Sequence, residues 1–182
     1  MINTIKTLAL VLILFGSTHI RAQSEKSFPP ILGNDLNGLR VPLPEISKNR
    51  YAIIGLVTSK EAIDSLYDWY IPIADNFAWD DEIDTWFVVL MGGMNQSISM
   101  SIQKEIRDFV LEEYYEKVVI FKGNAKNARE SLNIKEPTKP YFFVIDPSGN
   151  IVYKTYGKYT EEKLDEIIIA IDGEIYIDSE MD

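Results

Sequence analysis

The stretch that most restricts the fold is Lys139–Tyr156, KPYFFVIDPSGNIVYKTY. Phe142, Phe143, Val144 and Ile145 form an apolar run of high β propensity. Asp146-Pro-Ser-Gly-Asn150 follows, with a proline to preset φ and a glycine to accept positive φ. Two strands joined by such a turn make a hairpin. In the second arm Ile151, Tyr153 and Thr155 alternate with Val152, Lys154 and Tyr156, as expected of a strand with unequal faces. A hairpin of this apolarity needs a sheet to join and a core to cover it. At 182 residues, 46% hydrophobic and 12% aromatic, the chain has the material for one such core.

Residues 1–22 read as a secretory signal. Lys6 supplies a positive n-region, Leu8–Phe15 an uninterrupted apolar stretch, and Ser17–Ala22 a polar region ending in a small residue. The apolar stretch is well short of the roughly 20 residues that span a bilayer, so cleavage after Ala22 and a periplasmic or extracellular location are expected, with no stable membrane insertion afterwards. Residues 23–38 read as an N-terminal leader, polar and mobile from Gln23 to Phe28. Residues 39–173 read as the folded domain and 174–182 as an acidic tail in which Ile175 and Ile177 can add some edge pairing.

Removal of residues 1–22 leaves 16 basic against 28 acidic residues, a net charge of −12. Phosphate recognition rests on a basic footprint, so nucleic acid is not an expected partner, nor is an anionic lipid surface. The chain has no cysteine, and its single histidine, His19, lies in the segment expected to be removed. Ser-His-Asp and Cys-His catalysis, disulfides and thiolate or imidazole zinc sites therefore have no residues to be built from. No catalytic residue, metal ligand or cofactor site is assigned.

Along the chain, Asn37-Gly38 reads as a tight turn, and Pro42 and Pro44 confine the segment after it to a sheet edge. Tyr51–Thr58 is a continuous apolar run suited to a central strand covered on both faces. Lys60–Phe77 places Ile63, Leu66, Tyr67, Tyr70, Ile73, Ala74 and Phe77 at helical steps, with Pro72 expected to kink the helix and Trp69 lying off the stripe. Asp80, Asp81, Glu82 and Asp84 read as a solvated acidic loop, the alternative being an oxygen-liganded cation site. Trp86–Met91 reads as a second buried strand, and Gly92-Gly93 as a strand-to-helix turn without the lysine of a phosphate loop. A helix over Ser99–Tyr115 capped by Ser97 or Ser99, a strand over Val118–Phe121, a short helix from an Asn124 cap, and a last helix from a Thr160 cap to a stop at Gly173 complete the order.

This order resembles the thioredoxin-like superfamily, an α/β fold with a central mixed β-sheet flanked by helices on both faces. The closest local match is Pro140–Asp146 with Gly149 and the strand that follows, which resembles the hairpin of periplasmic thioredoxin-like reductases and peroxiredoxins. That resemblance implies a cis-proline at Pro140, with Pro137 as the alternative, on a loop facing the redox motif. Where those proteins carry their two cysteines, this chain reads Thr58-Ser-Lys-Glu-Ala-Ile-Asp-Ser65, and Ser59 or Ser65 stands in the thiol's place. A serine forms no disulfide and without a neighbouring base is no activated nucleophile, so thiol-disulfide exchange and peroxide reduction are excluded. A second resemblance, to the mitochondrial ATP synthase assembly factor family, rests on the Phe28-Pro leader, the Leu-Gly and Leu-Pro spacing before the central strand, and Trp69 with Pro72.

These resemblances imply a redox-inactive domain that binds a protein or peptide partner in folding, assembly or envelope maintenance, with Ser59, Ser65, Trp69, Pro140 and Tyr141 as candidate contacts. The alternatives are an enzyme using carboxylates or an oxygen-liganded metal, and a purely structural domain. An exposed Trp69 beside Pro140 would favour binding. The sequence leaves the oligomeric state open.

Overall fold

The computed structural model describes residues 26–78 and 80–179; the expected signal segment and the first residues of the leader lie outside them. Eight strands form one mixed sheet in the order β1-β8-β7-β4-β5-β6-β2-β3. They are β1 Lys26–Ser27, β2 Ile31–Asp35, β3 Arg40–Leu43, β4 Tyr51–Val57, β5 Ile83–Leu90, β6 Val118–Phe121, β7 Tyr141–Ile145 and β8 Asn150–Tyr156. The helices are α1 Lys60–Phe77, α2 Gln96–Phe109, α3 Ala125–Ser131 and α4 Glu161–Ser179. β4, β5 and β6 run parallel, and β7 is antiparallel to β4.

β4 is central and every one of its residues is buried, because it is covered on both faces. Ile53 and Val57 point into the cluster closed by α1, α2 and α4. Ala52, Ile54 and Leu56 point into the opposite cluster, with Ala125 and Ala128 of α3 and with Phe28. Gly55 sits between two aromatic rings: a β-carbon there would come within 2.8 Å of Phe142 and 3.1 Å of Phe87. Its missing side chain lets both rings pack on the α1 face.

The hairpin forms as its turn chemistry dictates. Gly149 has φ 89°, and the Asp146 carboxylate accepts from the backbone N–H of Ser148 at 2.9 Å and of Asn150 at 2.7 Å. Gly38 likewise turns β2 into β3, which is the sheet edge that Pro42 and Pro44 required.

Several expectations need correction. The leader is tied down from Lys26, since Lys26 and Ser27 pair with Ile151 and Asn150 and Phe28 is buried edge-on against Phe143. α2 starts earlier than expected because Asn95, extended and able to accept from the N–H of Ile98 at 2.9 Å, is the cap. Ser99 is buried instead, its hydroxyl donating to the Met91 sulfur. α2 also ends at Phe109, and Tyr114 belongs to a separate short 3-10 helix, Glu112–Lys117.

Asp84 is not in the acidic loop. It lies in β5, 4% exposed, with Arg50 at 2.7 Å and Lys117 at 3.9 Å. The Arg50 contact is out of hydrogen-bonding alignment with Oδ2, so it is an ion pair more than a hydrogen bond. α4 passes through Gly173, which keeps helical geometry there and makes no turn. α1, by contrast, spans Lys60–Phe77 as expected, with Pro72 inside it.

Candidate functional site

The carboxyl ends of β4, β5 and β6 share one rim of the sheet with the start of β7, where Leu56 is opposite Tyr141, and with the end of β8. Ser59, the loop from Leu132 to Pro140, and Gly157-Lys158 therefore lie on the same side of the molecule. Ser59 follows β4 by two residues and caps α1, its hydroxyl accepting from the Ala62 N–H at 3.2 Å. The Glu61 carboxyl is held below its ordinary range by its own backbone N–H and by the Ser59 hydroxyl. A serine in this position orders the helix start. Ser65 lies half-buried in the second turn of α1.

Loop 132–140 is fixed by three side chains from three strands or strand ends. Thr58 Oγ1 donates to the Pro137 carbonyl at 2.9 Å. The Tyr141 hydroxyl accepts from the N–H groups of Lys135 at 3.2 Å and Glu136 at 3.0 Å. Lys154 Nζ donates to the carbonyls of Leu132 at 2.7 Å and Asn133 at 3.1 Å. Burial, then the nearby Lys26 and Lys135, push the Lys154 ammonium below its usual range.

An aromatic and cationic stack runs beneath the loop. Lys154 lies 4.9 Å over the Tyr141 ring, Tyr141 stacks on Tyr156 at 5.1 Å, and Lys139 lies 5.4 Å over Tyr156. Lys139 also pairs with Glu136 at 2.6 Å, which raises the lysine and lowers the carboxyl.

The candidate residues are thus partly brought together. Ser59, Pro140 and Tyr141 occupy the rim, but Tyr141 is 3% exposed and acts from below, as a brace. Trp69 is fully buried and presents nothing to a partner. Its spacing explains this: Leu66, Trp69 and Ile73 fall at steps of three and four, so Trp69 lies on the apolar stripe. Its indole N–H donates to the Gly157 carbonyl at 2.9 Å, and its ring stacks on Phe142 at 4.1 Å. Neither Pro140 nor Pro137 follows a cis bond, and the cis peptide bond among the described residues is Leu43–Pro44. The turn before β7 closes through the Lys139 N–H to the Glu136 carbonyl, and Pro140 enters the strand in the ordinary trans form with its carbonyl accepting from Gly157.

Sequence reasoning missed Thr58, Lys135, Lys139, Lys154, Tyr156 and Lys158. A count of charge by segment would have pointed to the four lysines, though not to Thr58 or Tyr156. Residues 59–121 hold thirteen acidic and four basic side chains, whereas residues 122–158 hold seven basic and three acidic. Among the described residues no three Asp, Glu, His or Cys side chains converge to hold a metal ion, and no helix is long and apolar enough to cross a membrane.

The family model described as ATP10 protein matches residues 14–173. The chain belongs to the ATP10 protein family. No curated protein matches it in sequence. Among solved structures it is similar to the thioredoxin domain of a thiol-disulfide oxidoreductase from Bacteroides vulgatus, 21% identical, over 72% of this chain and 87% of that one, with a TM-score of 0.54. It is also similar to the pneumococcal exposed lipoprotein thioredoxin from Streptococcus pneumoniae, 15% identical over 76% and 98% of the two chains, TM-score 0.55. A third likeness is to BsSco, of the Sco family of cytochrome c oxidase assembly proteins, 12% identical over 82% and 95%, TM-score 0.56. At these identities the likeness is one of fold, and the fold of this ATP10-family chain is thioredoxin-like.

Proposed function

We propose that this ATP10-family chain is an exported, redox-inactive thioredoxin-like protein that docks a protein or peptide partner on the rim formed by Ser59, loop 132–140 and Lys158, in the assembly or maintenance of an envelope complex. The observation that carries this reading is the bracing of loop 132–140 by Thr58, Tyr141 and Lys154. A loop held in one conformation before binding loses little entropy when a partner arrives. The chain has no cysteine, so the rim has no thiol chemistry to perform and keeps its shape alone. Family membership supports an assembly role, as does the place of the BsSco neighbour among cytochrome c oxidase assembly proteins. Export is supported by the pattern of residues 1–22 and by the exposed character of the Streptococcus pneumoniae neighbour.

The test is affinity capture from envelope extract with the purified protein as bait, beside Thr138→Trp on the exposed rim and Ser148→Trp at the opposite end of the sheet. A partner retained by the native protein and by Ser148→Trp but lost by Thr138→Trp supports rim docking. Equal recovery by all three refutes it.

A further inference from the structure

The acidic composition of the whole chain conceals a basic edge, and that edge borders the proposed docking rim. Two grooves flank loop 132–140. One, of about 520 Å³, lies against α3 and is lined by Arg129, Lys135 and Pro137 among others. The other, of about 750 Å³, is lined by Lys139, Tyr156, Lys158 and Lys163 among others. Several of these cations are already engaged: Lys126 with Glu130 at 3.8 Å, Lys139 with Glu136, and Lys163 with the backbone carbonyls of Tyr156 and Lys158. Glu166, the remaining carboxylate of the second groove, accepts from the Tyr153 hydroxyl. Arg129, Lys135 and Lys158 have no ion-pair partner among the described residues, and both lysines are exposed. Tyr156, 44% exposed, lines the second groove, with Tyr141 stacked on its ring and Lys139 over it.

We propose that the chemistry recognised on this edge is acidic: an extended, carboxylate-rich segment of the partner protein lies across loop 132–140, its side chains reaching Arg129 and Lys135 on one side and Lys158 on the other. This rests on the docking reading above and adds the class of partner. Charge complementarity is the argument. In a chain with 28 acidic and 18 basic residues, free cations gathered on one braced edge steer an oppositely charged segment there and repel it from the α1 and α2 surface. That surface carries the exposed row Glu61, Asp64, Asp68 and Asp75.

The experiment measures fluorescence anisotropy of a labelled hexaglutamate peptide with the purified protein, at about 20 mM and about 150 mM salt. The expected result is saturable binding at low salt that weakens as salt rises. The double variant Lys135→Glu/Lys158→Glu should bind on the order of tenfold more weakly. Lys48→Glu/Lys104→Glu, with the same change in net charge on other surfaces, should bind as the native protein does.

Absence of hexaglutamate binding at low salt overturns the inference, as does equal weakening in both double variants. Preferential binding to phosphatidylglycerol vesicles would assign the edge to a lipid surface, and a dimer lost in Lys135→Glu/Lys158→Glu would assign it to a second copy; either overturns the inference. A partner captured equally well by Lys135→Glu/Lys158→Glu but lost by Thr138→Trp refutes the acidic segment while leaving rim docking intact.

Discussion

Replacing Trp69 by phenylalanine tests how the core positions the rim. Trp69 is fully buried, stacked on Phe142 at 4.1 Å and met edge-on by Tyr159 at 5.3 Å. Its indole N–H is the donor that reaches the Gly157 carbonyl from α1, at 2.9 Å. Phenylalanine keeps one ring and loses the donor. A carbonyl left without its partner in the interior costs about 1–3 kcal/mol, and the space vacated by the second ring adds roughly 1–2 kcal/mol. We expect a loss of about 3 kcal/mol, or a fall in Tm of roughly 6–12 °C for a chain of this size.

Urea unfolding followed by circular dichroism gives the free energy, and thermal unfolding gives the Tm. Amide exchange supplies an independent readout, because Gly157 has φ 93° and hands the chain from β8 to Lys158. Exchange at Gly157, whose N–H donates to the Pro140 carbonyl at 2.8 Å, should accelerate in the variant more than exchange in β4. A loss below about 1 kcal/mol with unchanged exchange at Gly157 would refute the claim that Trp69 anchors this turn.

Three further outcomes follow from the core and its charges. Gly55→Ala places a methyl group 2.8 Å from Phe142 and 3.1 Å from Phe87, and should lower stability by about 1–3 kcal/mol in urea unfolding. Asp84→Asn leaves Arg50 and Lys117 facing a neutral group; because Arg50 is half-exposed, the loss should be about 2 kcal/mol, below the cost of breaking a fully buried pair. Burial pushes the Tyr67 and Tyr70 hydroxyls from 10.0 up to about 12. Between those values the unfolded chain loses these protons and the native chain keeps them, so stability should fall as pH rises from 10 to 12. The tyrosinate absorbance of the native protein should lag that of the urea-unfolded protein over the same range.

Much of the fold was legible because local rules decide it. The all-apolar β4, the Asp146–Asn150 turn and the α1 limits set by Ser59 and Phe77 each follow from propensity, turn chemistry or capping. Failures came where a distant residue decides. Asp84 read as one more loop carboxylate because its partners, Arg50 and Lys117, come from β4's approach and the segment before β6. Trp69 was misread for a different reason: Leu66 and Ile73 were counted on the apolar stripe, but the steps of three and four that place Trp69 between them were not followed.

The rim was half legible. Ser59, Pro140 and Tyr141 were placed by resemblance, yet the bracing of loop 132–140 depends on Thr58 and Lys154, which are far from the loop in sequence. The expected cis bond at Pro140 failed because the Glu136–Lys139 turn closes and enters β7 with a trans bond.

Partner docking on the rim of Ser59, loop 132–140 and Lys158 is the proposed role of this ATP10-family chain. Site-specific photo-crosslinking in cells tests it most directly, with the crosslinking side chain placed in turn at Thr138, at Lys158 and at Ser148. One shared high-mass adduct is expected at Thr138 and Lys158 and none at Ser148. An adduct at Ser148 alone, or equal labelling at all three positions, would contradict it.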